Sequence, residues 1–275
     1  EAVAMGYESD WLEKQLAGIE YRATAVKADR NQPEKKITLD QYLDTRVPDW
    51  KVKRAVALGE EHRELLDRIS QEYGVQTRFI LALWGNESNF GKIQGRFPVL
   101  AATLSLAYEG RREVMFKRQF FAALDILKAG HIDIDKMKGS WAGAMGQSQF
   151  MPTTFMSYAV DYDKDGKKDI WSTPADVFAS IANFLSSEGW HEDGLWGRQV
   201  SLPSDADQLP SGLSQANFKP LSYWQTQGVR RYDGRDLPNV EVKASLIMPD
   251  GPDGRVYLVY NNFHTLMKWN RSSYF

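Results

Sequence analysis

Apolar positions along this chain fall at helical intervals far more often than in strand alternation. Between Glu60 and Tyr73, residues Leu65, Leu66 and Ile69 share one side, and Gly74 supplies a stop. Residues 113–128 keep Phe116, Phe120, Leu124 and Leu127 in helical register ahead of Gly130. A further helix is predicted over 172–189, with Thr173 as cap, Pro174 in the first turn and Gly189 past the end. Toward the N-terminus the pattern predicts one helix over 10–28, a connector at 31–36 and a short helix opened by Thr38, until Pro48-Asp49 breaks it. After Trp190, Pro, Gly, Ser and Asp become frequent, and short strands are predicted at 241–248 and 255–260. Residues 260–275 mix aromatic and polar side chains at no clear period. The expectation is a mainly helical α+β protein: an N-terminal helical region (1–75), a helical body (76–190), a small β-containing module (191–255) and a return to the body (256–275).

One apolar run ends on an acid. In Phe79-Ile-Leu-Ala-Leu-Trp-Gly-Asn-Glu-Ser-Asn-Phe-Gly91, Phe79 and Leu83 form one row, with Ile80 and Trp84 beside them. Glu87 follows Leu83 by four residues and Ile80 by seven, so it falls on the same stripe. Asn89 and Gly91 suit the helix end. A carboxylate at the tip of an apolar stripe is poorly hydrated, which raises its pKa, and a general acid near neutral pH needs that. Spacing alone fits an ordinary surface glutamate better. A second segment, Gly139-Ser-Trp-Ala-Gly-Ala-Met-Gly-Gln-Ser-Gln-Phe-Met-Pro152, combines small residues that admit a close partner with Ser140, Gln147 and Gln149, which offer hydroxyl and amide contacts. Alone it reads better as a tight structural turn.

A third segment places Asp161, Asp163, Asp165 and Asp169 at positions 1, 3, 5 and 9, with Gly166 at 6, as at the start of an EF-hand calcium loop. Lys167 would contribute its backbone carbonyl. Position 12 is Ser172, so the usual bidentate Glu is missing. Clustered Asp side chains repel one another without a cation, which favours a structural metal, calcium over magnesium.

Composition narrows the function classes. With 275 residues the chain can bury a sizeable core, and 43% hydrophobic with 25% charged residues is ordinary for a globular protein. A net charge of −2 leaves no basic excess for nucleic acid. Nine Trp, twelve Tyr and thirteen Phe suit either an aromatic-rich core or a groove where sugar rings stack. Absence of cysteine removes disulfides, thiol nucleophiles and thiolate metal sites. No motif for an organic cofactor is present, and the four His (62, 131, 191, 264) lack supporting partners. No apolar run approaches the ~18 residues of a membrane span. The missing initiator Met and leader lead us to expect a signal peptide already removed.

Taken together, Trp84-Gly-Asn-Glu-Ser-Asn-Phe-Gly91 and the Gly139–Pro152 segment resemble the lytic transglycosylase B family of bacterial peptidoglycan enzymes. That family carries its acid in a Gly-x-Glu-[Ser/Thr]-x-[Phe/Trp]-Gly segment and lines its groove with Gly-Ala-Met-Gly-x-x-Gln-Phe-Met-Pro. The resemblance runs from about Thr38 to Asn270, with Ala101-Ala-Thr-Leu-Ser105 and Arg111-Arg112 in matching places. It implies a lysozyme-like core and cleavage between N-acetylmuramic acid and N-acetylglucosamine, with Glu87 as the sole catalytic carboxylate. It further implies substrate contacts from Ser140 and Gln149, an aromatic hydroxyl from Tyr42, a polar group from Asn270, and stem-peptide carboxylates met by Arg111 and Arg112. Asp176 closes the metal loop in that family, although Thr173-x-x-Asp176 also reads as a helix-capping pair. Phe184 and Trp269 stand where the resemblance leads us to expect Tyr. The implied setting is the periplasm, with an outer-membrane lipid anchor on the precursor left open. The implied partner is the peptidoglycan glycan strand, with cell-wall machinery proteins as further candidates, and the chain is expected to be a monomer. Two rivals stand beside this reading: a hydrolytic muramidase, and a non-catalytic glycan- or calcium-binding scaffold.

Overall fold

The computed structural model describes residues 1–31, 37–204 and 206–275, so of the expected connector only Asn31 lies within the described residues. Where spacing predicted one continuous helix, the chain forms α1 (Ser9–Leu16) and α2 (Ala23–Arg30). Gly18, at φ +76°, takes the left-handed conformation that closes helices, and the Arg22 N–H donates to Ser105 Oγ at 2.8 Å. Thr38 opens α3 (Leu39–Arg46) as expected. Its hydroxyl accepts the Gln41 N–H, and the Gln41 amide oxygen accepts the Thr38 N–H, a reciprocal capping box. Next comes α4 (Asp49–Glu61), which the pattern does not reveal, because exposed Trp50, Val52 and Val56 blur any single apolar stripe. The following helix, α5 (Arg63–Tyr73), starts three residues later than predicted, since Glu60 and Glu61 belong to α4; it buries Leu66 and Ile69.

The middle of the chain runs through α6 (Thr77–Ser88), β1 (Phe97–Pro98), α7 (Val99–Glu109), α8 (Glu113–Lys128), β2 (Lys138–Gly139), α9 (Pro152–Tyr158) and α10 (Pro174–Ser187). The limits predicted for α8 hold, and Phe116, Phe120 and Leu124 are buried. Helix α7 is apolar on almost every side, so it shows no amphipathic period; it packs along α8, with every residue from Val99 to Ala107 except Leu104 buried. Its two buried hydroxyls are satisfied within the helix: Thr103 Oγ1 donates to Val99 O at 2.8 Å and Ser105 Oγ to Ala101 O at 2.6 Å.

By density of contacts the chain forms two compact units. One comprises the described residues of Glu1–Glu34, Ala55–Ile69 and Thr77–Phe184; the other comprises those of Lys35–Arg54, Ser70–Gln76 and Leu185–Phe275. The second unit adds β3 (Gly197–Ser201), β4 (Lys219–Pro220), α11 (Leu221–Thr226), β5 (Arg230–Arg231), β6 (Lys243–Ile247), β7 (Val256–Val259) and α12 (Asn261–Trp269). Strands β6 and β7 fall inside the two predicted stretches. The sheet is antiparallel, ordered β4-β6-β7-β3-β5, with Leu246 opposite Leu258 and Ile247 opposite Tyr257. Strand alternation sends Leu246 and Leu258 to one face, against Leu221 and Trp224, and Ile247 and Val259 to the other, against Phe263 of α12. The Trp224 indole N–H is satisfied by Ala244 O at 2.9 Å. The α+β, mainly helical expectation is met.

Candidate active site

The acid helix ends as its sequence demands. Ile80, Leu83 and Trp84 of α6 are buried, and Glu87 stands half-buried one turn beyond Trp84. Ser88 folds its hydroxyl back to Trp84 O at 3.2 Å and accepts the Gly91 N–H at 2.9 Å. Asn89, Phe90 and Gly91 then take left-handed backbone in succession (φ +50°, +58° and +80°). Two of the three are not glycine, and each costs on the order of 1 kcal/mol, strain of the kind that surrounding packing must hold in place. The Phe90 ring supplies that packing, edge-on to Trp84 at 5.4 Å.

The Gly139–Pro152 segment is a compact turn beside this helix end. Strand β2 pairs with β1, and isolated bridges join Gly139 to Met145 and Met145 to Phe150. Ser140 Oγ accepts the N–H groups of Ala142 (3.3 Å) and Ala144 (3.1 Å), which fills its acceptor positions and leaves the hydroxyl proton to donate. Gln149, at φ +50°, donates its amide to Gly146 O at 2.9 Å and to Gln94 O at 3.2 Å. Gly95, at φ +93°, lies against the Gly139 backbone so closely that a Cβ would overlap the carbonyl.

Side chains cross between the two segments. Trp84 Nε1 donates to Gln147 Oε1 at 2.7 Å, and Gln147 Nε2 donates to Trp171 O at 2.9 Å. Gln94 Nε2 reaches the same Trp171 carbonyl at 3.0 Å. Gln147, read from sequence as a group offering outward contacts, has its amide engaged at both ends inside the protein. Sequence reasoning passed over Gln94 and Trp171 because neither belongs to a recognisable motif.

The acidic loop lies just beyond. Carboxylate oxygens of Asp161, Asp163 and Asp176 all come within 4.8 Å of one another. Asp176 is buried; its two oxygens accept the N–H groups of Tyr162 and Asp169, each at 2.7 Å. Burial outweighs those bonds and raises its pKa. Asp165 stands outside the three and accepts the Lys167 N–H at 2.8 Å. Asp169 is committed to the turn: burial pushes its carboxyl up, but bonds from Ser172, Trp171 and Thr173 win and hold it below the usual range. His131 accepts the Lys168 N–H on Nδ1 at 3.1 Å.

A transglycosylase SLT domain profile matches residues 1–275. The chain belongs to the transglycosylase SLT family. It is 30% identical over 228 residues to the membrane-bound lytic murein transglycosylase B of Escherichia coli K12, which covers 82% of this chain; the chain in turn spans 60% of that relative. Among solved structures it resembles SltB3 of Pseudomonas aeruginosa in complex with NAG-NAM-pentapeptide, with 39% identity and a TM-score of 0.94 over 99% of this chain and 73% of that one. It also resembles the Escherichia coli lytic transglycosylase Slt35 in complex with calcium, with 26% identity and a TM-score of 0.85 over 99% and 85%.

In this SLT-family chain the remaining candidate residues are placed as follows. Arg111 and Arg112 hold Asp29 of α2, a residue no motif flags. Arg111 Nε donates to Asp29 Oδ2 at 2.8 Å and its Nη2 to Asp29 O at 2.8 Å, while Arg112 donates to Oδ1. Asp29 is only 3% exposed, and both arginine side chains stay partly exposed. Burial alone would push the Asp29 carboxyl up, but the guanidinium bonds win and lower it. Asp29→Asn is expected to cost ~3 kcal/mol, the low end for one partner of a buried pair because the arginines can rehydrate. A depressed carboxyl contributes stability above its unfolded pKa of ~4 and loses it as pH falls through the folded value. Urea unfolding from pH 7 to 3 should therefore show an acid loss of stability that the variant lacks in part. Tyr42 and Asn270 belong to the second unit. The Tyr42 ring lies 6.0 Å from Tyr274 with Arg46 over its face, and Asn270 Oδ1 accepts the Ser272 N–H at 3.0 Å. Phe184 is buried edge-on to Tyr158 at 4.7 Å.

Proposed function

We propose that this chain is a peptidoglycan lytic transglycosylase with Glu87 as acid and then base. The observation that carries the reading is that Glu87 is the sole carboxylate in the two segments that Trp84 and Gln147 tie together. Family membership and the relatives' names support the substrate class. Glu87, protonated, gives its proton to the oxygen bridging N-acetylmuramic acid to N-acetylglucosamine as the C1–O bond breaks. The muramoyl C6 hydroxyl then attacks C1, its proton passes to the Glu87 carboxylate, and a 1,6-anhydro ring closes. A hydroxyl held on the same sugar outcompetes water through its high effective concentration. The substrate's acetamido group meets the developing positive charge, so no protein nucleophile is needed. Ser140 donates a hydrogen bond from its hydroxyl to the glycan, and Gln149 lines the sugar path beside it. Arg111 and Arg112 offer stem-peptide carboxylates the N–H groups that Asp29 leaves over.

A muramidase would need a second carboxylate roughly 5–9.5 Å from the acid, and neither segment supplies one. Mass spectrometry of digested sacculi tests the reading: anhydro-muropeptides are expected, each lighter by one water than the hydrolysis product. Ordinary reducing ends would point to hydrolysis, and intact sacculi to a binding scaffold. The proposed place of action is the bacterial periplasm. No helix among the described residues is long and apolar enough to cross a membrane.

The acidic loop is proposed to hold calcium through Asp161, Asp163 and Asp176, with the Lys167 carbonyl and Asp165, directly or through water, completing the shell. Two oxygens on one calcium ion at 2.3–2.6 Å lie at most about 5 Å apart, and the spacing here fits. Bound calcium would neutralise the clustered carboxylates and fix the loop. Calcium at a hundred times its Kd should add about 2.7 kcal/mol, a rise in Tm on the order of 5–10 °C. Because protons compete for the raised Asp176 carboxyl, the increment should shrink as pH falls. Thermal melts with calcium or chelator check both statements, and an unchanged Tm at pH 7 contradicts them.

A further inference from the structure

We propose that Gln147 is a positioning residue for the acid: its side-chain amide fixes the end of α6 that carries Glu87 against the Gly139–Pro152 turn and the end of the acidic loop. This rests on the reading of Glu87 as the acid. Gln147 is 8% exposed, so its contacts form where water does not compete. Its carbonyl accepts the Trp84 indole N–H, its NH₂ donates to Trp171 O, and its own backbone N–H donates to Ile170 O at 2.8 Å. The loop that follows Glu87 closes on the same side chain, since a Cβ on Gly91 would overlap the Gln147 amide.

The link to Glu87 is mechanical. Trp84 precedes Glu87 by three residues, one helical turn on the same side of α6. Its indole is boxed edge-on by Phe90 (5.4 Å), Phe178 (4.9 Å) and His62 (6.0 Å), so it shifts only together with the helix. An acceptor at one end and a donor at the other suit an amide here; an aliphatic chain supplies neither, and a thioether supplies no donor and only a weak acceptor. Trp171 O keeps Gln94 as a second donor, so loss of the Gln147 amide orphans chiefly the Trp84 N–H. The disturbance therefore falls on the acid's helix. The family motif leaves this position open, between Gly146 and Gln149.

The test is a cycle of Gln147→Met, Trp84→Phe and the pair, read by steady-state kinetics on sacculi and by carbon-13 NMR titration of the Glu87 carboxyl. Each single variant is expected to lower kcat about tenfold or more with KM within about twofold, because the loss is of orientation rather than binding. Each should also move the Glu87 titration midpoint, and the pair should be no worse than Trp84→Phe alone. A packing role would lower Tm while kcat and the Glu87 midpoint stayed at native values, or the two losses in kcat would multiply; either result overturns the proposal. If Gln147→Met fails to fold, Trp84→Phe probes the same bond from its other end. The titration needs no turnover, so a native protein that released no anhydro ends would refute the transglycosylase reading while the Gln147–Glu87 link was still measured.

Discussion

Glu87→Gln is expected to lower sacculus turnover at least ~10³-fold while the fold and glycan binding stay near native. Removal of one general acid or base costs typically 10²–10⁴-fold. In the proposed mechanism one side chain serves both half-steps, so no second group is left to carry either. The amide keeps the size of the carboxyl and cannot release a proton, which makes this a change of chemistry rather than of shape. Glu87 is half-buried at the helix end, and a neutral replacement there leaves the apolar rows of Ile80, Leu83 and Trp84 intact. Tm and cosedimentation with sacculi serve as the controls. Activity within tenfold of native would remove Glu87 from the mechanism.

Gly95→Ala is the second large effect. The residue sits at φ +93°, and its Cβ would overlap the Gly139 carbonyl, a backbone atom that cannot rotate away. Left-handed strain and overpacking together should cost at least about 3 kcal/mol, or a fall in Tm of roughly 6–12 °C. Relief by movement would part β1 from β2 and displace Ser140, so kcat of the folded fraction should fall too. Gly110→Ala is the control, because Gly110 has nearly the same φ of +92° with open space at its Cβ. It pays for strain alone. Equal losses at both positions would show that the approach of Gly95 to Gly139 is not what matters.

Elements with one wet and one dry face were legible in the sequence. Helix α8 and the Thr38 cap of α3 appear within a residue of their predicted limits because spacing and end chemistry agree there. Helix α7 was illegible for the opposite reason: from Val99 through Ala107 every residue but Leu104 is buried, so the run carries no period. The split between α1 and α2 turns on Gly18, a single residue inside otherwise helical spacing. At the candidate site, two motifs placed Glu87, Ser140 and Gln149 in one compact unit. Asp29 could not have been found, since it meets Arg111 from 82 residues away and no local pattern announces the pairing. Gln147 shows the limit most plainly. The sequence says that an amide is present, and only the fold says which way it faces.

Digestion of sacculi in oxygen-18 water, followed by mass spectrometry of the released muropeptides, tests the central claim most directly. An acid that returns its proton from the muramoyl C6 hydroxyl consumes no water, so the products should carry anhydro ends and no label. One oxygen-18 at each new reducing end would mean that water, not the sugar's own hydroxyl, attacks C1, and would contradict the account.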